Sequence, residues 1–328
     1  MKALRFFAYA VAWIAAVLFT AWAFGALYFD FPTASSVAAI LFAIVLLAAI
    51  VFVRAKPLKL LIIFAACALV AAWWLTLKPS NDGAWQSDVA QTAWAEIKGD
   101  EVNVHNVRNC DYRTDTDFTT QWETRTVHLS EITGMDVAIM YWGSPWMAHP
   151  IVSFRFADAL PLCFSIETRK TMGQEYSALR GLYRQYTLIY IVADERDSIR
   201  VRSKYRHGED AYLYRTLASP AQARARFLEY VNATNTLRDQ PRWYNALTNN
   251  CTTNIRTQRS MDQRASWDWR MLVNGKSDEL LYEHHLIATG GLPFSELKRR
   301  SRINKRASDA DQDPDFSRLI REGLPKSD

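Results

Sequence analysis

Three long stretches in the first quarter of the sequence carry no charged residue: residues 6–29, 34–53 and 60–77. A helix packed in a soluble core keeps a polar stripe, and these runs have none. As helices they reach about 27–36 Å, enough to cross a hydrocarbon layer of about 30 Å. The first run is too long for the apolar segment of a cleaved signal peptide, and no clean small-x-small site follows it. The sequence therefore predicts a three-helix membrane anchor over residues 1–78. The connection Asp30-Phe31-Pro32-Thr33 lacks Lys and Arg. Lys2 and Arg5 precede the first span, and Arg54, Lys56 and Lys59 separate the second from the third. The positive-inside rule puts these five on the cytoplasmic side and sends the chain out after the third span, against the small counter-signal of Lys78.

Beyond the anchor, net charge is what the sequence lacks. The formal charge of +5 resembles a nucleic-acid signal, but residues 1–78 hold six Lys/Arg and one Asp, which leaves 33 basic and 33 acidic residues in the rest. A domain without net charge has no field for a polyanion, so no nucleic-acid partner is expected. The exception is a cluster at Lys298, Arg299, Arg300, Arg302, Lys305 and Arg306. It reads first as a solvated linker, and second as a contact for anionic lipid headgroups. Residues from about 308 onward are charged and poorly patterned, which predicts a loosely held tail.

Motifs are also scarce. There is no H-E-x-x-H, G-x-S-x-G, phosphate-binding loop or dinucleotide fingerprint, and the adjacent pair His284-His285 has poor metal-ligand spacing. Neither a metal nor a cofactor is expected. Only four cysteines occur: Cys67 within the third span, and Cys110, Cys163 and Cys251 in the exported part, where thiols tend to be oxidised. Three is an odd number, so one thiol is left over.

Period-two patterning dominates the exported part, with strands expected around Val102–Val107 and Val137–Tyr141. A hairpin is expected over residues 151–168, a buried strand over 188–192, and shorter strands over 199–202 and 211–214. Ser219-Pro220 caps a helix running to about Leu237, and Asn249-Asn250 opens another that continues toward Met261. The mixture indicates an α+β domain.

Cys251 stands in TNNCTTNIR, in the first turn of that last helix, where the helix dipole favours thiolate and turn amides can bind an oxyanion. A buried structural thiol is the alternative. A thiol nucleophile needs a base. His149 stands at the start of a strand in AHPIVSFRF; Pro150 biases it toward an extended conformation and is tolerated at a strand's first position, so His149 is expected to point from a strand edge. Glu167 lies on the next strand and shares a face with Ser165 and Cys163, which suits it to orient the imidazole. A solvated His149 and an ion pair between Glu167 and Arg169 are the alternatives.

The runs NVRNCDYRTDTDF from Asn106, AHPIVSFRF from Ala148, FSIETRK from Phe164, YSALRGLYRQY from Tyr176, VADERDSIRVR from Val192 and YNALTNNCTTNIR from Tyr244 resemble the Lnb-type N-terminal periplasmic domain family. The likeness spans about residues 80–300. It implies a permuted papain-like fold of the NlpC/LRAT kind, with His before Cys, over residues 79–300, followed by a charged tail at 301–328. It also implies acyl transfer through an acyl-Cys251 thioester in a bacterial inner-membrane protein, as in lipoprotein N-acylation. His149 would be the base, Glu167 its orienting group, and Asn250 and Thr252 oxyanion supports; a phospholipid would be the donor and a lipoprotein amine the acceptor. If Cys251 is the nucleophile, Cys110 and Cys163 are left as a disulfide pair. Two features depart from the family pattern: Pro150 where a threonine follows the histidine, and membrane spans that precede the domain with none after it. A cysteine peptidase or amidase acting on cell-wall peptide, and a non-catalytic envelope-assembly module, are the competing readings.

Overall fold

The computed structural model describes residues 2–258, 268–271 and 274–325. The chain divides into two compact units. The first comprises residues 1–80, 175–187 and 242–246. Its three helices are α1 (Lys2–Asp30), α2 (Ser35–Phe52) and α3 (Lys56–Thr76), each long and apolar enough to cross a membrane. Small side chains let them approach: Ala16, Ala23, Ala26 and Ala39 are buried together with Ile63 and Cys67. Within the same unit, Asp30 ends α1 and accepts from Trp74 Nε1 at 2.7 Å, from the Arg184 backbone N–H at 3.1 Å and from Gln185 Nε2 at 2.8 Å. The Arg184 guanidinium lies over the Trp74 ring at 3.9 Å.

The second unit is built on one large sheet. Its strands are β1 (Trp94–Lys98), β2 (Glu101–Arg108), β5 (Trp122–His128), β6 (Ile132–Trp142), β7 (Ala148–Phe156), β8 (Leu162–Arg169), β9 (Thr187–Asp194) and β10 (Glu209–Arg215). They run in the order β1-β2-β9-β8-β7-β6-β10, with β5 also paired to β2, while β3 (Asp111–Tyr112) and β4 (Phe118–Thr119) pair separately. The remaining helices are α4 (Glu195–Arg200), α5 (Pro220–Asp239), α6 (Cys251–Thr257), α7 (Ser277–Glu283), α8 (Phe294–Ser301), α9 (Asn304–Asp309) and α10 (Phe316–Leu319). The protein is thus an α+β domain preceded by three apolar helices.

Alternation along β7 and β8 builds two cores. Phe154 and Phe164 meet Phe227 of α5 with ring centroids 5.2 and 5.8 Å apart. Ile151 and Cys163, on the other face, pack with Ile199, Ile303, Ala307, Phe316 and Ile320.

Two sequence expectations are overturned here. Residues 199–202 are not a strand: Asp194 caps α4 by accepting from the Arg196 N–H, and the helix continues into a π-helical turn, Val201–Tyr205. The stretch after residue 308 is not a loose tail. Phe316, Ile320 and Leu324 are buried, and Arg321 donates to Asp136 at 2.7 Å and to Glu195 at 2.7 Å beneath the sheet. The six clustered basic residues are engaged as well. Lys298 pairs with Asp278, Arg299 and Arg300 with Glu296, Arg302 with Asp210 and Lys305 with Asp309, while Arg306 holds backbone carbonyls. They belong to α8, α9 and the bend between them rather than to a linker.

Candidate functional site

Cys251 is the first residue of α6. Asn250 caps the helix: its Oδ1 accepts from the Thr253 N–H at 3.0 Å, and Thr253 Oγ1 accepts from the Asn250 N–H at 2.9 Å. Asn250 is buried by this arrangement. The Cys251 sulfur accepts from Asn274 Nδ2 at 2.9 Å, and the Thr252 hydroxyl donates to Oδ1 of the same amide. Cys251 itself is 6 % exposed. The helix start was expected to favour thiolate, but burial dominates. It pushes the thiol up to about 11, with hydrogen bonds from the Thr252 backbone N–H and the Asn274 amide pulling the other way. At neutral pH the group is a thiol and needs a base to react.

His149 does not stand at an exposed strand edge as expected. It is 7 % exposed and pairs with Met140 in the β6–β7 ladder. Pro150 is the third residue of β7, opposite Ile139, and is tolerated because paired residues of β7 and β8 begin only at Ile151. Alternation places His149 on the face of Ile151 and Ser153. Its Nε2 meets Ser165 Oγ at 2.6 Å, and Ser165 Oγ donates to Glu167 Oε1 at 2.7 Å. The direct His149–Glu167 separation is 3.8 Å, so the serine carries the connection.

That chain fixes a tautomer. Burial alone would raise the Glu167 carboxyl, but the charges of Arg202 and Arg108 outweigh it and hold it well below the usual carboxylate range. An ionised carboxylate only accepts, so the single Ser165 proton points at Glu167. Ser165 Oγ must then accept from His149, which puts the ring proton on Nε2 and leaves Nδ1 as a free base. Burial, with the Arg202 charge, pushes the imidazole down to about 3, so it stays neutral at physiological pH.

Two small clusters therefore stand on neighbouring elements. His149, Ser165 and Glu167 lie on β7 and β8, and Cys251, Thr252 and Asn274 lie at the start of α6 and the turn facing it. α6 packs against β7 and β8, and Arg226 of α5 holds the Ile255 carbonyl of α6 at 2.8 Å. No hydrogen bond joins the two clusters among the described residues. Cys110 and Cys163 are free thiols, not a disulfide. Cys110 packs with Tyr112 and Val201, whereas Cys163 packs with Ile151 and Ile199, so each is enclosed in a different apolar cluster.

Residues 118–275 match the model of the Lnb N-terminal periplasmic domain. This segment is an Lnb-type periplasmic domain. No curated protein and no solved structure matches the chain. The Lnb-type segment begins at β4 and ends in the Asn274-Gly275 turn, so it includes both clusters. Together with three helices able to cross a membrane, it makes the chain a membrane protein with a periplasmic domain.

Sequence reasoning placed Ser165 on the right face but gave it no role, and it missed Asn274 altogether. The one available signal for the latter was the dipeptide Asn274-Gly275, a strong turn former.

Proposed function

We propose that the protein is a cysteine-dependent acyltransferase of the bacterial inner membrane, with its N-terminus in the cytoplasm, a phospholipid as acyl donor and a lipoprotein amine as acceptor. The observation that carries this reading is the direction of the Glu167–Ser165–His149 chain, which leaves an unprotonated, neutral imidazole nitrogen on a strand against which the Cys251 helix packs. Apo sites commonly hold nucleophile and base apart until substrate draws them together. In the first half-reaction Sγ attacks the ester carbonyl carbon and its proton passes to Nδ1 of His149. The tetrahedral intermediate collapses, the C–O bond breaks, and the lysophospholipid alkoxide takes the proton back from His149. In the second half-reaction an amine attacks the Cys251 thioester, His149 accepts the amine proton, and the thiolate leaves and is reprotonated. The balanced charge of residues 79–328 and the three-helix anchor favour a lipid substrate over a polyanion.

The test is a trapping experiment. Protein incubated with an acyl-labelled phospholipid in detergent micelles should acquire a label released by neutral hydroxylamine, and Cys251→Ala should acquire none. A label that persists in Cys251→Ala, or its absence from wild type, sinks the acyl-enzyme mechanism. Release of free amine from cell-wall peptides by the same preparation would point instead to an amidase.

A further inference from the structure

Asn274 belongs to no expectation drawn from the sequence, yet its side chain is held against the reactive sulfur from both sides. Nδ2 donates to Cys251 Sγ at 2.9 Å, and Oδ1 accepts the Thr252 hydroxyl. The second bond settles which way the amide points: a hydroxyl donating to the carbonyl oxygen leaves the NH2 end for the sulfur. The neighbouring glycine pins the backbone. A Cβ at Gly275 would lie 2.3 Å from the Pro145 carbonyl oxygen and 2.4 Å from the Trp146 carbonyl carbon. The gap is closed by the Gly275 N–H donating to the Trp146 carbonyl at 3.1 Å and by the Tyr141 hydroxyl donating to the Gly275 carbonyl at 2.9 Å. The loop that fixes Asn274 thus leads directly into the strand that carries His149.

A side-chain amide fixed in this way is more than the packing of a structural thiol requires. A buried thiol packs as a small apolar group and makes no demand for a strong donor. A donor at 2.9 Å gains most when negative charge appears on the sulfur, and again when it appears on an oxygen bonded next to it.

We infer that Asn274 is a catalytic residue whose Nδ2 stabilises the developing negative charge at Cys251, first on Sγ and then on the oxygen of the tetrahedral adduct, with Thr252 positioning the amide. The inference rests on Cys251 being the nucleophile, but it does not depend on which acyl group is carried. As the S–C bond forms, the carbonyl π pair moves onto oxygen and one Nδ2 hydrogen follows the charge. As the bond to the leaving group breaks, the pair returns. No proton leaves Asn274.

The experiment uses the full chain in detergent, with Asn274→Ala, Asn274→Asp and Thr252→Val. Two rates are read: acylation of Cys251 by an acyl-labelled phosphatidylethanolamine, and alkylation of Cys251 by iodoacetamide between pH 7 and 10. Loss of one oxyanion donor typically costs about 100–1,000-fold, so Asn274→Ala should acylate about 100-fold more slowly. Its alkylation at pH 8 should be about tenfold slower, the scale of one hydrogen bond to a charged group. Asn274→Asp keeps the shape but puts a carboxylate beside the sulfur, and should be slower still in both assays. Thr252→Val frees the amide to flip and should fall between Asn274→Ala and wild type. Thermal melts identify any variant that fails to fold, in which case the isosteric Asp variant decides. Acylation within threefold of wild type in a folded Asn274 variant overturns the inference. If wild type takes up no acyl group, the acyltransferase reading fails on its own, and alkylation decides for Asn274: a rate unchanged from wild type refutes it.

Discussion

Glu167→Gln tests the tautomer argument. The change keeps the side-chain shape but replaces a pure acceptor with a group that also donates. The amide NH2 can then donate to Ser165 Oγ, whose own proton turns to His149 Nε2, and the ring proton moves to Nδ1, the nitrogen needed as base. Because Ser165 is fully buried, no water can restore the original direction. General-base assistance is typically worth about 100–10,000-fold, and the wrong tautomer should remove a large part of it, so acylation should slow by about 100-fold or more. The stability cost should be smaller, about 1–3 kcal/mol, because Arg202 loses Glu167 at 3.8 Å but keeps Glu209 at 3.2 Å. Nitrogen-15 spectra of imidazole-labelled protein, with His149→Asn to assign the resonance, read the tautomer directly. Wild type should show the proton on Nε2 and the variant a shift toward Nδ1. A wild-type spectrum with the proton on Nδ1, or a Glu167→Gln variant acylated as fast as wild type, refutes the reasoning.

Other outcomes follow from the same geometry. With the thiol near 11 rather than 9.0, its thiolate fraction at pH 8 is about 100-fold below that of an ordinary cysteine, so alkylation of Cys251 should be slow and climb about tenfold per pH unit; a plateau below pH 8 contradicts the neutral pair. His149 resists protonation when folded but accepts a proton near 6.5 when unfolded, so its contribution to stability is intact above pH 6.5 and is lost as pH falls toward 3. Glu167 acts in the same direction below 4.5, and denaturant midpoints should therefore drop from pH 7 to pH 4 less steeply in His149→Gln. Gly275→Ala must displace backbone at Pro145 and Trp146, so melting temperature and acylation should fall together; an unchanged acylation rate argues against the pinned turn. Thiol titration in denaturant under non-reducing conditions should count four free thiols, and a count of two restores a disulfide.

Much of this architecture is legible in the sequence because it follows from periodicity. The anchor helices announce themselves by unbroken apolar runs, and β7 and β8 by alternation that also places Ser165 and Glu167 on one face. Residues 199–202 mislead because Ile-Arg-Val-Arg alternates like a strand, while the deciding signal is the Asp194 cap five residues earlier. The stretch beyond 308 misleads because its many charges hide three apolar residues, Phe316, Ile320 and Leu324, that are buried although only residues 316–319 around them are helical. Asn274 is illegible for a different reason. Its contact with Cys251 spans 23 residues and depends on how a loop packs, which no local pattern encodes.

The buried ion cluster beneath the sheet bears on how the protein is made. Asp136 and Glu195 lie at zero exposure; Arg155 stands 3.3 Å from Asp136, but the cation that pairs with Glu195, Arg321, comes 126 residues later. A chain delivered to the periplasm from its N-terminus presents Glu195 long before Arg321 arrives, and an unpaired buried charge opposes closure of the core around it. The core around Glu195 therefore closes only when Arg321 has joined it, and a chain cut before residue 321 would leave that carboxylate buried without its cation.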